Sequence, residues 1–144
     1  MDVAQAIELR RSVKAYDSSH RLSEAEIEKL LSLAMLSPTA FNIQNWRFVV
    51  VENPQLRKEL RRVSKDQAQI TDASLLVVLC GDLKAWRREP ARYWRTAPAE
   101  MQEVLVALIE QYYSGNAQIE RDEVMRSCGI AAMSLMLVAK EMGY

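Results

Sequence analysis

A chain of 144 residues, 49% hydrophobic and 26% charged, has the size and balance of one soluble globular domain able to bury roughly two-thirds of its unfolded surface. Lys+Arg and Asp+Glu number 19 each, so net charge directs the chain neither to nucleic acid nor to an acidic surface. Four glycines and four prolines favour long helices over a turn-rich all-β fold. Cys80 and Cys128 stand far apart without a Cys-x-x-Cys, which suits free thiols in a reducing, cytoplasmic setting. No apolar segment follows Met1-Asp2, so no signal peptide is expected, and the apolar run Cys128–Ala139 is too short for a bilayer. His20 is the single histidine and no ligand-spaced cluster points to a metal.

The first element is a short helix from Asp2 to Leu9, with Val3, Ala6 and Ile7 at helical spacing. Arg10-Arg11-Ser12-Val13-Lys14 follows. Forked guanidinium donors, a hydroxyl and an ammonium suit a phosphate, although a solvated basic turn has the same composition. After a turn at Asp17–His20, Ser23-Glu24-Ala25-Glu26 is a capping box opening a helix whose core stripe is Ile27, Leu30, Leu31, Ala34 and Met35. Pro38 fixes its own φ and keeps Ser37 out of the helical region, so that helix should stop there.

The loop Ser37–Arg47 offers hydroxyl, carboxamide and backbone donors in quick succession, and Trp46 can bury its ring while keeping an N–H for a partner. It suits a flat, polar-edged ligand, or serves as an ordinary helix-to-strand connection. A buried strand is expected over Phe48–Glu52, then a helix over Pro54–Val63 with Asn53 as its cap. Lys65–Ile70 is polar loop or short helix, and Ala73–Cys80 a second apolar strand, which makes a mixed α and β layer architecture.

Lys84–Arg95 interleaves cations with Trp86, Tyr93 and Trp94. Such a pattern can stack single-stranded bases, but zero net charge and the Glu89-Pro90 break favour a solvated segment or ligand lid. Neither nucleic acid nor membrane is expected as a partner. A helix over Pro98–Tyr113 carries Met101, Val104, Leu105, Leu108 and Ile109 on one face and ends at Ser114-Gly115-Asn116. The last helix is expected from Asp122 to about Met142. Its second half is apolar nearly all round, with Gly129, Ala131, Ala132 and Ser134 permitting close approach of another backbone.

Three ordered blocks, Arg10–Tyr16, Ser37–Val51 and Gly129–Tyr144, together resemble the FMN-dependent nitroreductase family. The resemblance implies an α+β fold with a central β-sheet surrounded by helices, forming a homodimer with FMN at the interface. It implies that Arg10 and Ser12 serve the flavin's phosphate and ribityl end and Lys14 its pyrimidine edge, with Arg11 beside them. Pro38, Thr39, Ala40 and Asn42 would line the other side from the second subunit. Family members often place an Asn eight residues before the second strand, where this chain has Asp66; an ionised Asp accepts but does not donate, so Gln67 or Gln69 would take over part of that contact.

Family members also continue beyond the position of Tyr144, so residues 1–144 are expected to form a single nitroreductase-like domain that is C-terminally incomplete. The activity implied is transfer of reducing equivalents from NAD(P)H through flavin to a nitroaromatic, quinone or similar small acceptor by ping-pong turnover, with no dedicated catalytic side chain. The alternative is an inactive flavin-binding or structural dimer. Tyr112 and Tyr113 either line the acceptor pocket or belong to the core.

Overall fold

The computed structural model describes all 144 residues as six α-helices around one two-stranded ladder. Local capping starts the first two helices. In α1 (Val3–Leu9) the Asp2 carboxylate accepts the Gln5 amide at 2.8 Å while the Gln5 side chain accepts the Asp2 N–H at 3.3 Å. In α2 (Glu24–Ala34) the Ser23 hydroxyl accepts the Glu26 amide and the Glu26 carboxylate accepts the Ser23 N–H at 2.7 Å. The capping box read from the sequence is therefore closed in both directions.

Strands β1 (Trp46–Val50) and β2 (Val77–Gly81) pair antiparallel, with Trp46 opposite Gly81, Phe48 opposite Leu79 and Val50 opposite Val77. Both differ from the expected spans. β1 starts two residues before Phe48 because Trp46 already pairs with Gly81. β2 starts at Val77 rather than Ala73 because the Arg57 guanidinium takes the carbonyls of Ala73 and Ser74, together with that of Val51 at 2.8 Å. A side chain thus occupies acceptors that a longer ladder would use. Arg57 comes from α3 (Pro54–Val63), whose Asn53 cap accepts the Gln55 and Leu56 amides at 2.9 and 3.0 Å. A short helix α4 (Gln69–Asp72) precedes β2.

Helix α5 (Ala99–Tyr113) is correctly anticipated in span, but its face is rotated. Of the expected stripe Ile109 is buried and Leu105 half-buried, but Met101, Val104 and Leu108 are about half exposed, and Tyr113 joins Ile109 against Ala85 and Trp86. Those aromatic partners pull the buried face round. Helix α6 (Ala117–Glu141) begins five residues before Asp122, because Asn116 is its cap and accepts the Ile119 amide at 3.1 Å. None of these helices is long and apolar enough to cross a membrane.

Helix α6 runs against α1, α2, α5 and the ladder. Ala34 of α2 and Ala131 of α6 are both fully buried, small residues that let these helix backbones come together. Gly129 is open on its Cβ side, with nothing of this chain within 4 Å. Within the chain the close approach is at Gly81, where an added Cβ would stand 2.1 Å from Val124 Cγ1 and 3.3 Å from Cys128 Sγ.

Two stability predictions follow from these contacts. Gly81→Ala overpacks the β2–α6 contact and should cost about 1–3 kcal/mol in chemical denaturation; an unchanged midpoint would mean that α6 yields freely. Ser23→Ala should cost about 1 kcal/mol near neutrality. The Ser23 hydroxyl, its backbone N–H and the Tyr144 hydroxyl hold Glu26 down to about 2 from the ordinary 4.5. A carboxylate depressed in the folded state stabilises fully above its ordinary value and loses that contribution as pH falls through about 2. The gap between Ser23→Ala and wild type should therefore narrow in acid.

Candidate functional site

The Ser37–Arg47 loop is fastened at both ends and strained between them. The buried Ser37 hydroxyl donates to the Ala34 carbonyl at 2.7 Å and lies 2.8 Å from the Ser134 hydroxyl of α6. At the far end Asn45 is buried, and its carbonyl accepts the Asp82 amide at 2.7 Å. Between them Phe41, Asn42 and Gln44 have φ of 52°, 53° and 50°, three non-glycine residues in left-handed backbone. Such residues persist where the surroundings over-determine them, commonly at ligand-binding segments.

Here the surroundings are visible. Ile43 is buried as an anchor, Phe41 packs against Tyr112 and Tyr113 with centroids 5.6 and 6.3 Å apart, and the Thr39 hydroxyl accepts the Gln44 amide at 2.9 Å. The result turns Pro38 and Asn42 to solvent and leaves Thr39 and Ala40 half exposed. The Asn42 side chain accepts from the Gln44 carboxamide at 3.2 Å.

The basic segment sits at the end of α1. Arg10 is the C-cap residue, its N–H bonded to the Ala6 carbonyl. The Arg11 guanidinium folds back onto the carbonyls of Glu8 and Arg10 at 2.6 and 2.8 Å, so Arg11 stiffens the turn. Ser12 and Lys14 are exposed, and neither Arg10 nor Lys14 has a hydrogen-bond or ion-pair partner for its side chain. Two uncompensated cations flanking a free hydroxyl fit a phosphate-bearing ligand. No hydrogen bond or ion pair joins this segment to the Ser37–Arg47 loop within the chain.

Asp66 is already engaged. Its carboxylate takes the Arg61 Nε at 2.7 Å, and Arg61 also reaches the Thr71 hydroxyl. Gln69 donates to the Gln67 carboxamide at 2.8 Å, so the two amides beside Asp66 form one polar edge. No sequence signal marks the Arg61 partner, which stands one helical turn and a bend before Asp66.

Lys84–Arg95 is not solvated throughout. Ala85 and Trp86 are buried, the Trp86 N–H donates to Glu120 at 2.8 Å, and Lys84 pairs with the same carboxylate. The Lys84 hydrogen bond, followed by that of Trp86, holds the Glu120 carboxyl below the usual range despite burial. Tyr113 stacks on Trp86 at 5.6 Å and belongs to the core; Tyr112 is partly exposed, donating to Glu123 at 3.0 Å, and Glu123 also pairs with Arg126. Sequence reasoning missed the arginines Arg47, Arg92 and Arg95, which line one cleft with Asn42 and Gln44.

Comparison with known proteins adds the following. The model of the nitroreductase family matches residues 7–144. Protein DrgA of Synechocystis is 51% identical over all of this chain, which spans 69% of DrgA. YodC of Bacillus subtilis, a candidate NAD(P)H nitroreductase, is 36% identical over all of this chain and 72% of its own length. Among solved structures, a candidate nitroreductase in complex with FMN from Exiguobacterium sibiricum superposes with TM-score 0.85 at 28% identity, covering 96% of this chain and 70% of that one.

The Tyr113 hydroxyl is buried without a partner, and burial pushes its phenol far above the ordinary value. Tyr113→Phe removes a desolvated hydroxyl while keeping the ring, so stability should stay level or rise by up to about 1 kcal/mol. A loss of that size on thermal unfolding would show a hydrogen bond to this hydroxyl.

Proposed function

The chain belongs to the nitroreductase family, and on that premise we propose that it works as an FMN-dependent oxidoreductase carrying reducing equivalents from NAD(P)H to small electron-poor acceptors such as nitroaromatics or quinones. The observation that carries the reading is the pair of partnerless cations, Arg10 and Lys14, around Ser12 at the end of α1. Bound FMN supplies hydride acceptance and onward electron transfer at one face, which reductant and acceptor use in turn.

The chain's own residues bind and orient. Arg10 and Ser12 hold the phosphate and ribityl end, Arg11 keeps their turn in shape, and Lys14 faces the pyrimidine edge, where a cation favours the charge of the reduced state. Pro38, Thr39, Ala40 and Asn42 serve the site of a second copy, which accounts for a strained polar loop with no bond to the basic segment of its own chain. Asp66 acts through its pairing with Arg61, while Gln67 and Gln69 present the carboxamides that a ring edge requires.

A second copy is one way to cover this chain's surface, and further chain of the kind its longer relatives carry is another. The chain exposes 9575 Å², whereas a monomer of its 16.5 kDa mass is expected to expose about 7,500 Å². Half-exposed apolar side chains on α5 and α6, among them Val104, Met125 and Met133, contribute to that excess.

Initial rates with both substrates varied should give parallel double-reciprocal lines; intersecting lines would contradict alternate use of one site. Arg10→Ala should weaken FMN binding by about 1.5–3 kcal/mol, tenfold or more, read by quenching of flavin fluorescence on titration. Unchanged affinity would reduce the Arg10–Lys14 segment to a solvated turn.

A further inference from the structure

A cleft of about 580 Å³ opens between the end of α2, the start of β1 and residues 92–96. Its cations are Arg47, Arg92 and Arg95, and no acidic side chain lines it. Arg47 is held in place by the carbonyls of Gln44 and Trp46, both at 2.8 Å, and its charge is partly met by Asp82 at 3.4 Å. Arg92 donates to the Tyr93 hydroxyl at 2.6 Å and lies 4.7 Å above that ring, an orientation fixed without neutralising the charge. Arg95 has no hydrogen-bond or ion-pair partner.

One wall of the cleft is an indole. Trp46 lines the cleft with only 6% of its surface exposed, and its indole N–H is buried without an acceptor. That N–H does not open to the cleft, but the indole forms part of its wall, so an anion bound there changes the field at the ring. Phe48 and Met35 supply an apolar wall.

We propose that this cleft is an anion subsite that takes the carboxylate of an aromatic acid or the phosphate of a nucleotide reductant. Arg92 and Arg95 supply the charge, Arg47 orients the anionic oxygens, and the apolar wall receives the ring or chain that bears them. Since Asn42 and Gln44 belong to both this cleft and the loop assigned above, assigning the anion to a turnover substrate rests on the reductase reading; the existence of the subsite does not.

The test has two arms, on wild type, Arg95→Gln and the double variant R92Q/R95Q. In the first, inorganic phosphate and benzoate are titrated while the indole N–H resonances are followed by NMR; the chain has three tryptophans, and Trp46→Phe identifies the relevant peak. Both anions should move the Trp46 resonance in wild type, and the shift should shrink in Arg95→Gln and vanish in the double variant. A Trp46 resonance that stays still at tens of millimolar anion, or moves equally in all three proteins, overturns the subsite.

In the second arm, KM for 4-nitrobenzoate relative to nitrobenzene, and for NADPH relative to NADH, separates the two sources. One of these ratios should rise about tenfold in the double variant. Ratios that both stay level overturn the assignment to a turnover substrate. FMN-loaded protein without any turnover contradicts the reductase reading instead, and the indole titration still decides the subsite.

Discussion

The contact between Gly81 and Val124 fixes how near the ladder comes to α6, and most of the molecule is placed by that distance. With 2.1 Å between an imagined Cβ and the valine methyl, nothing larger than glycine fits at the end of β2 without movement. Helix α6 then packs on α2, where Ala34 and Ala131 are both fully buried, and meets the Ser37 loop through Ser134 and the Trp86 segment through Glu120. A change in the depth of α6 would move all three together.

The candidate site inherits its shape from that arrangement. The Ser37–Arg47 loop must connect a helix fastened to α6 with a strand fastened to β2, and it does so through three left-handed residues. Ile43, Phe41 and the Thr39 hydroxyl hold that backbone in place. Small polar groups consequently face outward on a rigid support, whereas the basic segment that complements them stands on α1. The two halves are separate within one chain, and the site shared by two copies proposed above would bring them together.

Much of this was legible from local chemistry. Asn53-Pro54 and Ser23–Glu26 mark helix starts because a cap needs only neighbouring residues, and the spans of α3 and α5 follow directly. The misreadings required distant partners. Arg57 shortened β2 by taking its carbonyls, Trp86 rotated the buried face of α5, and Asn116, read as the end of one helix, caps the next. At the site, Arg10–Lys14 and Pro38–Asn42 are assigned through a family resemblance together with donor chemistry. The engagement of Asp66 by Arg61 and the meeting of Arg47 with Arg92 and Arg95 depend on tertiary folding alone.

The most direct measurement is the visible spectrum of the protein after incubation with FMN and desalting, followed anaerobically as NAD(P)H and then a quinone are added. The account expects retained flavin absorbance that bleaches with the reductant and returns with the quinone. A folded protein that emerges colourless, or one whose retained flavin never bleaches, would contradict it.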